Sequence, residues 1–278
     1  MRLRSRKLGS MLMTLLMMLS TVAVLIPLGL IFAHIMKMGL DSITLDFFTE
    51  IPRPTGEAGG GMANGIAGSA IVVGLASFLG VPVGVLGAIY LSEYGGNRIS
   101  TAIRFAADIL SGIPSIITGM VAYALIVVPM KGFSAWAGAA ALSLIMVPIV
   151  LRTTEEQLKM VPDSLREASL ALGIPLWRTT LKVTLRSALT GVVTGILLAL
   201  ARIAGETAPL LFTSLGNQFW GTSLAQPMAA LPLQIFNFAI SPYEDWHKLA
   251  WGGALVLVTL MFGINLSARY FGRSKHRS

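Results

Sequence analysis

Val161-Pro-Asp-Ser-Leu-Arg-Glu-Ala-Ser-Leu-Ala-Leu-Gly-Ile-Pro-Leu-Trp-Arg178 is a polar island in an apolar chain. It sits inside a 37-residue segment, Arg152 to Ala188, that separates two long apolar runs. Ser164 and Glu167 have the Ser-x-x-Glu spacing that satisfies the free N–H groups at a helix start. Leu165, Ala168 and Leu172 then fall on one face of that helix. Gly173 can end it, because glycine takes the left-handed backbone that closes a helix, and Pro175 suits the first turn of another. The segment reads as two short amphipathic helices joined by a hinge. A narrow apolar face with polar flanks is suited to a groove on a partner protein.

The chain on either side has a different character. Of 278 residues, 54% are hydrophobic and only 12% are charged, against roughly 25% charged in a soluble protein. So few charges cannot coat a water-exposed surface, which excludes an ordinary soluble enzyme. The apolar content equally excludes a disordered chain. A hydrocarbon core about 30 Å thick takes roughly 20 apolar residues per helix. Six runs approach that length: 11–36, 66–91, 103–130, 135–151, 189–212 and 249–271. In the third, Ser111–Met130 is the apolar centre and Ile103–Leu110 an extension on the entry side. The expectation is an all-α polytopic membrane protein with six transmembrane helices, one membrane domain over residues 1–278. The first run follows Arg2, Arg4, Arg6 and Lys7. It is too long for a cleaved signal peptide and is read as a retained helix.

Charge sets the orientation. With the N-terminus in the cytoplasm, 16 of the 21 Lys and Arg residues fall in cytoplasmic segments, among them Lys275 and Arg277. Lys37, Arg53, Lys131 and Lys248 fall on the other side, and Arg202 lies inside the fifth run. Both termini are then cytoplasmic, and the net charge of +8 is a topology signal rather than a nucleic-acid footprint. The first outer loop carries a Pro/Gly-rich stretch, residues 52–61. The last outer segment, about 213–248, carries Phe219, Trp220 and Trp246, which suit an interfacial position and a short surface helix.

Arg202 and Glu206 stand four residues apart in the fifth run and so share one helix face. A charge at the bilayer centre costs about 2.5–3.5 kcal/mol on insertion scales, so two together point inward, toward the bundle or a pore. Gly205 and Pro209 loosen the helix around them. Arginine presents a planar fork of donors that matches a phosphate-type oxyanion, and Glu206 can hold that fork or exchange with the anion. Two other readings stay open: a buried Arg–Glu pair fixing helix packing, or a pairing with a second membrane chain. Pro114 breaks or kinks the third run, so Gly112, Pro114 and Ser115 either line a pathway or form a simple bend. Asp108 reads as the i+4 partner of Arg104. Glu93 reads as a solvated loop charge near Arg98. Gly80/Gly84 and Gly191/Gly195 read as close helix contacts.

Catalytic and metal chemistry find few candidates. The chain has no cysteine, and its three histidines, His34, His247 and His276, are far apart in sequence. No metal site is expected. No Gly-x-x-x-x-Gly-Lys-Ser/Thr loop is present, so ATP is not bound in that way, no directly bound cofactor is expected, and any ATP-derived energy must enter through another subunit. The chain is not read as an enzyme.

Glu167-Ala168-Ser169, then Gly173 four residues on, then Val183-Thr184-Leu185, resembles the EAA loop of ABC importer permeases, departing at Ser169, Val183 and Arg186, where that family often has Ala, Ile and Pro. Arg202-x-x-Gly205-Glu206-Thr207-Ala208-Pro209, Ser111-Gly-Ile-Pro-Ser-Ile116 and Ala88-Ile-Tyr-Leu-Ser-Glu-Tyr94 resemble segments of phosphate-importer permeases of the PstA and PstC type, with order and lengths closer to PstA. The resemblance implies a type I ABC importer permease fold in the bacterial inner membrane. It further implies a cytoplasmic coupling helix, carrying Glu167, Ala168, Ser169 and Gly173, that docks on an ATPase. The implied partners are a homologous PstC-like permease, a dimer of PstB-like ATP-binding subunits and a periplasmic PstS-like phosphate-binding protein. Phosphate is the implied substrate, with Arg202 and Glu206 on its path and Gly205 and Thr207 beside them. A permease for another oxyanion or solute, or a proton-coupled secondary transporter, are the alternatives.

Overall fold

The computed structural model of the chain describes residues 2–57 and 59–273. Ala58, Lys275, His276 and Arg277 lie outside the described residues. Thirteen helices follow in order among them: α1 (Arg2–Leu40), α2 (Leu45–Thr49), α3 (Ala63–Glu93), α4 (Arg98–Gly112), α5 (Ser115–Ala122), α6 (Val128–Met130), α7 (Ala135–Lys159), α8 (Asp163–Ala171), α9 (Leu176–Thr179), α10 (Leu185–Ala204), α11 (Ala208–Thr213), α12 (Leu231–Ala239) and α13 (Glu244–Arg273). Two π-helical turns, Tyr123–Val127 and Thr180–Thr184, join α5 to α6 and α9 to α10. No strand occurs among the described residues. Two isolated bridges, Pro52–Gly60 and Leu215–Met228, pin loops.

The centre is the packing of α3 on α7. Small residues let the two backbones approach. A Cβ on Gly80 would stand 3.4 Å from Met146 Cβ, and one on Gly84 would stand 2.8 Å from Val150 Cβ. Val72, Ala76, Leu142, Met146, Val150, Ala199, Ile203 and Leu210 form the core around this contact. On α10, the faces of Gly191 and Gly195 lie against Gln157 and Thr153 of α7. A second cluster, Phe47, Met62, Leu231, Phe238 and Leu249, ties α2 and α12 to the first turns of α3 and α13. Trp246 packs at a tilt against Phe238, ring centroids 4.6 Å apart, so that tryptophan closes this cluster. Helix α1 is peripheral. It touches α13 where Gly39 meets Trp251 and Leu255, and where His34 meets the edge of Trp251 at 4.9 Å. From Met11 to Leu40 its methionines and leucines are exposed, as a lipid-facing helix requires.

Among the described residues, five helices are long and apolar enough to cross a membrane: Gly9–Leu40, Ala63–Glu93, Ala135–Lys159, Leu176–Ala204 and Glu244–Tyr270. The expected third span is not a continuous helix. Arg98–Gly112 and Ser115–Met130 meet at 107° across Ile113–Pro114, and the count reaches six when this pair is one crossing. The physical reason is Pro114, which lacks an N–H and whose ring clashes with the preceding turn. Residues 103–112 therefore belong to α4, a separate helix opened by an Asn97/Ser100 capping box, with Ser100 N–H donating to Asn97 Oδ1 at 2.9 Å. The run Ser115–Met130 spans about 24 Å at 1.5 Å per residue, short of the hydrocarbon thickness, so it needs the turn at Pro114 to complete a passage.

The expected fifth span, 189–212, is interrupted as well. Its helix starts earlier, at Leu176, and ends at Ala204, and α11 resumes at Ala208. A helix running through this point would set the Pro209 ring against the carbonyl of Gly205. The chain instead turns over Gly205, Glu206 and Thr207.

Candidate functional site

The interruption in the fifth span presents its charged pair at a helix end. Arg202 occupies the last turn of α10, and Glu206 lies beyond it. The expectation that both share a continuous helix face is corrected: the pair bridges the break. Arg202 Nη2 is 3.5 Å from Glu206 Oε1, with the arginine side chain 61% exposed and the glutamate 15%. The guanidinium makes no hydrogen bond to the protein among the described residues, so its donors remain open to another acceptor. Gly205 caps α10, and a Cβ there would stand 3.0 Å from Met261 Cε. Thr207 caps α11, accepting at its carbonyl from the Leu210 and Leu211 N–H groups.

The break in the third span is joined to this turn through packing. A Cβ on Gly119 would stand 2.7 Å from Pro209 Cα, so α5 and α11, the helices that restart after each break, are in backbone contact. Gly112 and Pro114 are exposed and Ser115 is half-buried at the start of α5. A groove of about 530 Å³ runs between α7 and α10, lined by Thr153, Gln157, Thr190 and Thr194. It extends from Pro162 to Leu198, one turn before Arg202.

The polar segment between α7 and α10 begins on a proline. Helix α8 has Pro162 as its N-cap, with no side-chain cap. Ser164 is therefore inside the first turn, and the expected Ser164/Glu167 capping box is not formed. The end of α8 is closed by Gly173 at φ +76°, where Gly173 N–H donates to Leu170 O at 2.9 Å and Ile174 N–H to Ser169 O at 3.3 Å. This is the two-bond closure that glycine favours. The second short helix of the segment is not separate, for α9 runs through the π turn into α10. Glu167 and Ala168 are exposed, while Ser169 is buried with its hydroxyl 2.8 Å from Thr179 Oγ1. That contact clamps α8 onto α9. Leu165, Leu170, Leu172 and Trp177 are exposed around them, Leu172 by 80%.

Two buried carboxylates carry ionic contacts that local sequence could not show. Glu93, at the end of α3, has a side chain only 3% exposed and pairs with Arg166 of α8 at 3.1 Å. It is not the solvated loop charge expected beside Arg98. Glu155, also 3% exposed, takes Arg104 Nε at 2.8 Å and Lys159 Nζ at 2.7 Å. Asp108 pairs with Arg152 rather than with Arg104. Apart from Lys159, which stands four residues from Glu155, these partners lie 44 to 73 positions apart. The only local signal was unusual: Arg104, Arg152 and Arg166 each interrupt an apolar or amphipathic face.

Residues 80–277 match the family model described as "Binding-protein-dependent transport system inner membrane component". The phosphate transport system permease protein PstA of Yersinia pestis is 50% identical over 249 residues, covering 89% of this chain and 84% of that protein. The chain belongs to the PstA family. A PstA of Pasteurella multocida is 41% identical over 273 residues, 98% of this chain and 97% of its own. The fold of this PstA-family chain is that of the type I ABC importer permeases. A chain of the MetNI methionine ABC transporter in an inward-facing conformation superposes with TM-score 0.57 at 22% identity, covering 75% of this chain and 91% of that one. A chain of a bacterial alginate ABC transporter, solved with its pentasaccharide-bound periplasmic protein, superposes with TM-score 0.64 at 14% identity, covering 96% of each. The PstA-family chain is a multi-pass membrane protein and a transport subunit rather than an enzyme.

Proposed function

We propose that this PstA-family chain is the membrane permease of an ATP-driven importer of inorganic phosphate. It sits in a bacterial inner membrane with both termini in the cytoplasm, paired with a homologous PstC-like permease. Two PstB-like ATP-binding subunits seat the coupling segment around α8, and a periplasmic PstS-like protein delivers phosphate to the outer loops. The observation that carries the reading is Arg202. Its guanidinium lies at an interrupted span of an apolar chain, neutralised by one carboxylate 3.5 Å away and uncommitted to any hydrogen bond among the described residues. An oxyanion offers two acceptors at the spacing of that fork. In the proposed cycle the anion displaces Glu206 from Arg202, passes the turn, and Glu206 closes behind it. The groove between α7 and α10 runs from the coupling segment to Leu198, one helical turn short of Arg202. Relatives that are named for phosphate transport support the choice of anion.

Purification of the tagged chain from its native membrane in mild detergent tests the assembly. The expected copurifying chains are an ATPase with a phosphate-binding loop and a second, homologous permease. A chain that purifies alone, and that moves solute without ATP, contradicts the reading and supports a secondary transporter.

A further inference from the structure

We propose that Glu93 and Arg166 are positioning residues that carry displacement of the coupling helix into the membrane helices. The proposal rests on the reading above, in which α8 seats on the ATPase. Arg166 lies on the first turn of α8 and reaches four acceptors. Its Nη1 donates to Val161 O at 3.0 Å and Asp163 Oδ1 at 2.8 Å. Its Nη2 donates to Leu158 O at 2.8 Å and Glu93 Oε1 at 3.1 Å. One side chain thus binds the end of α7, the turn into α8, α8 itself and the end of α3. On the other carboxylate oxygen of Glu93, the Thr180 hydroxyl reaches in from the π turn at 3.5 Å. The end of α3, helix α8 and the π turn meet at this carboxylate, and Arg166 ties in the end of α7.

Burial makes the junction stiff. The Glu93 side chain is 3% exposed and Arg166 17%. Pulling the two apart would strand a desolvated charge, so α8 cannot shift without moving the end of α3 or breaking the pair at high cost. The arginine fork fixes orientation as well as distance, which a single point charge would not. In the neighbouring π turn the buried Thr184 hydroxyl has no hydrogen-bond partner among the described residues. Displacement of α8 is therefore delivered to α3, and through the α3–α7 contact to the core.

The test uses the assembled transporter. The chain has no cysteine, so in a complex assembled with cysteine-free variants of the partner subunits, spin labels on Ser164→Cys in α8 and Phe78→Cys in α3, both exposed, report one distance. In the wild-type pair that distance is expected to stay constant between the nucleotide-free and ATP-bound states. In Glu93→Gln it is expected to change on ATP binding, because α8 moves alone. In proteoliposomes Glu93→Gln and Arg166→Gln are each expected to keep ATP hydrolysis and to lower solute moved per ATP by roughly tenfold, within the usual range of coupling factors. Glu93→Asp, which keeps the charge, recovers part of that loss. The double variant is expected to be no worse than the poorer single, as partners in one contact behave. A wild-type distance that shifts as much as the variant's overturns the proposal. So do variants that lose assembly and hydrolysis together while the ratio per ATP is unchanged. The distance readout needs no identified solute. A wild-type complex that moves no phosphate but keeps the fixed distance therefore sinks the substrate and leaves the junction standing.

Discussion

Replacement of Arg202 by alanine is expected to abolish phosphate uptake while the purified complex keeps its full complement of subunits. The side chain is 61% exposed and anchors no packing, so its loss removes a ligand-facing group rather than a core contact. Hydrogen bonds to a charged group contribute about 1.5–3 kcal/mol each, and a bidentate contact makes two. The initial uptake rate should therefore fall by on the order of a hundredfold or more. Arg202→Lys keeps the charge and loses the fork, and an intermediate rate is expected. Glu206→Gln leaves the arginine without its neutralising partner, so phosphate should be held more tightly and released more slowly. Radiolabelled phosphate uptake in cells carrying each variant, with subunit content checked on the same membranes, measures all three. Wild-type uptake by Arg202→Ala would return the pair to a packing role.

The second large effect is expected at Gly173. Its φ of +76° is in the left-handed region. An L-residue pays roughly 1–2 kcal/mol there, and a β-branched one more. Gly173→Val should break the closure between Ser169 and Ile174 and swing α8 off α9. The exposed face formed by Leu165, Ala168 and Leu172 would then no longer be presented in one orientation. The expected result is loss of the ATPase subunits from the purified complex and of ATP-driven uptake, with the membrane helices intact. Ser169→Ala is the matched control. It removes one hydroxyl contact to Thr179, costing about 1 kcal/mol, and should retain the ATPase.

What the sequence conveyed depended on the range of each signal. The apolar runs located the membrane helices because burial in lipid needs only local composition, and the α8 segment stood out because polarity there is local too. Proline was equivocal. Pro27, Pro82 and Pro148 lie within continuous helices, while Pro114 and Pro209 mark breaks, and nothing within a few residues separates the two groups. What separates them is tertiary: α5 and α11 pack through Gly119 and Pro209, and each break lets its helix reach that contact. The Ser164/Glu167 box failed because Pro162 starts the helix a turn position earlier, a competition that spacing alone does not reveal. The Arg202–Glu206 pair was visible at i,i+4, but not its place across a helix end. The Glu93–Arg166, Asp108–Arg152 and Glu155–Arg104 pairs were out of reach, since each joins helices far apart in sequence; an i,i+4 reading offers Asp108 the wrong neighbour and Glu155 only Lys159.

The central claim is that this chain moves phosphate as part of an ATP-driven complex. The most direct measurement is uptake of radiolabelled phosphate by proteoliposomes holding the purified complex, with the phosphate-loaded binding protein outside and ATP enclosed. The account predicts uptake that requires ATP and the binding protein, survives collapse of the proton gradient and is undiminished by excess sulfate. Uptake that ignores ATP and follows the proton gradient, or a complex that accumulates another solute and leaves phosphate outside, would contradict it.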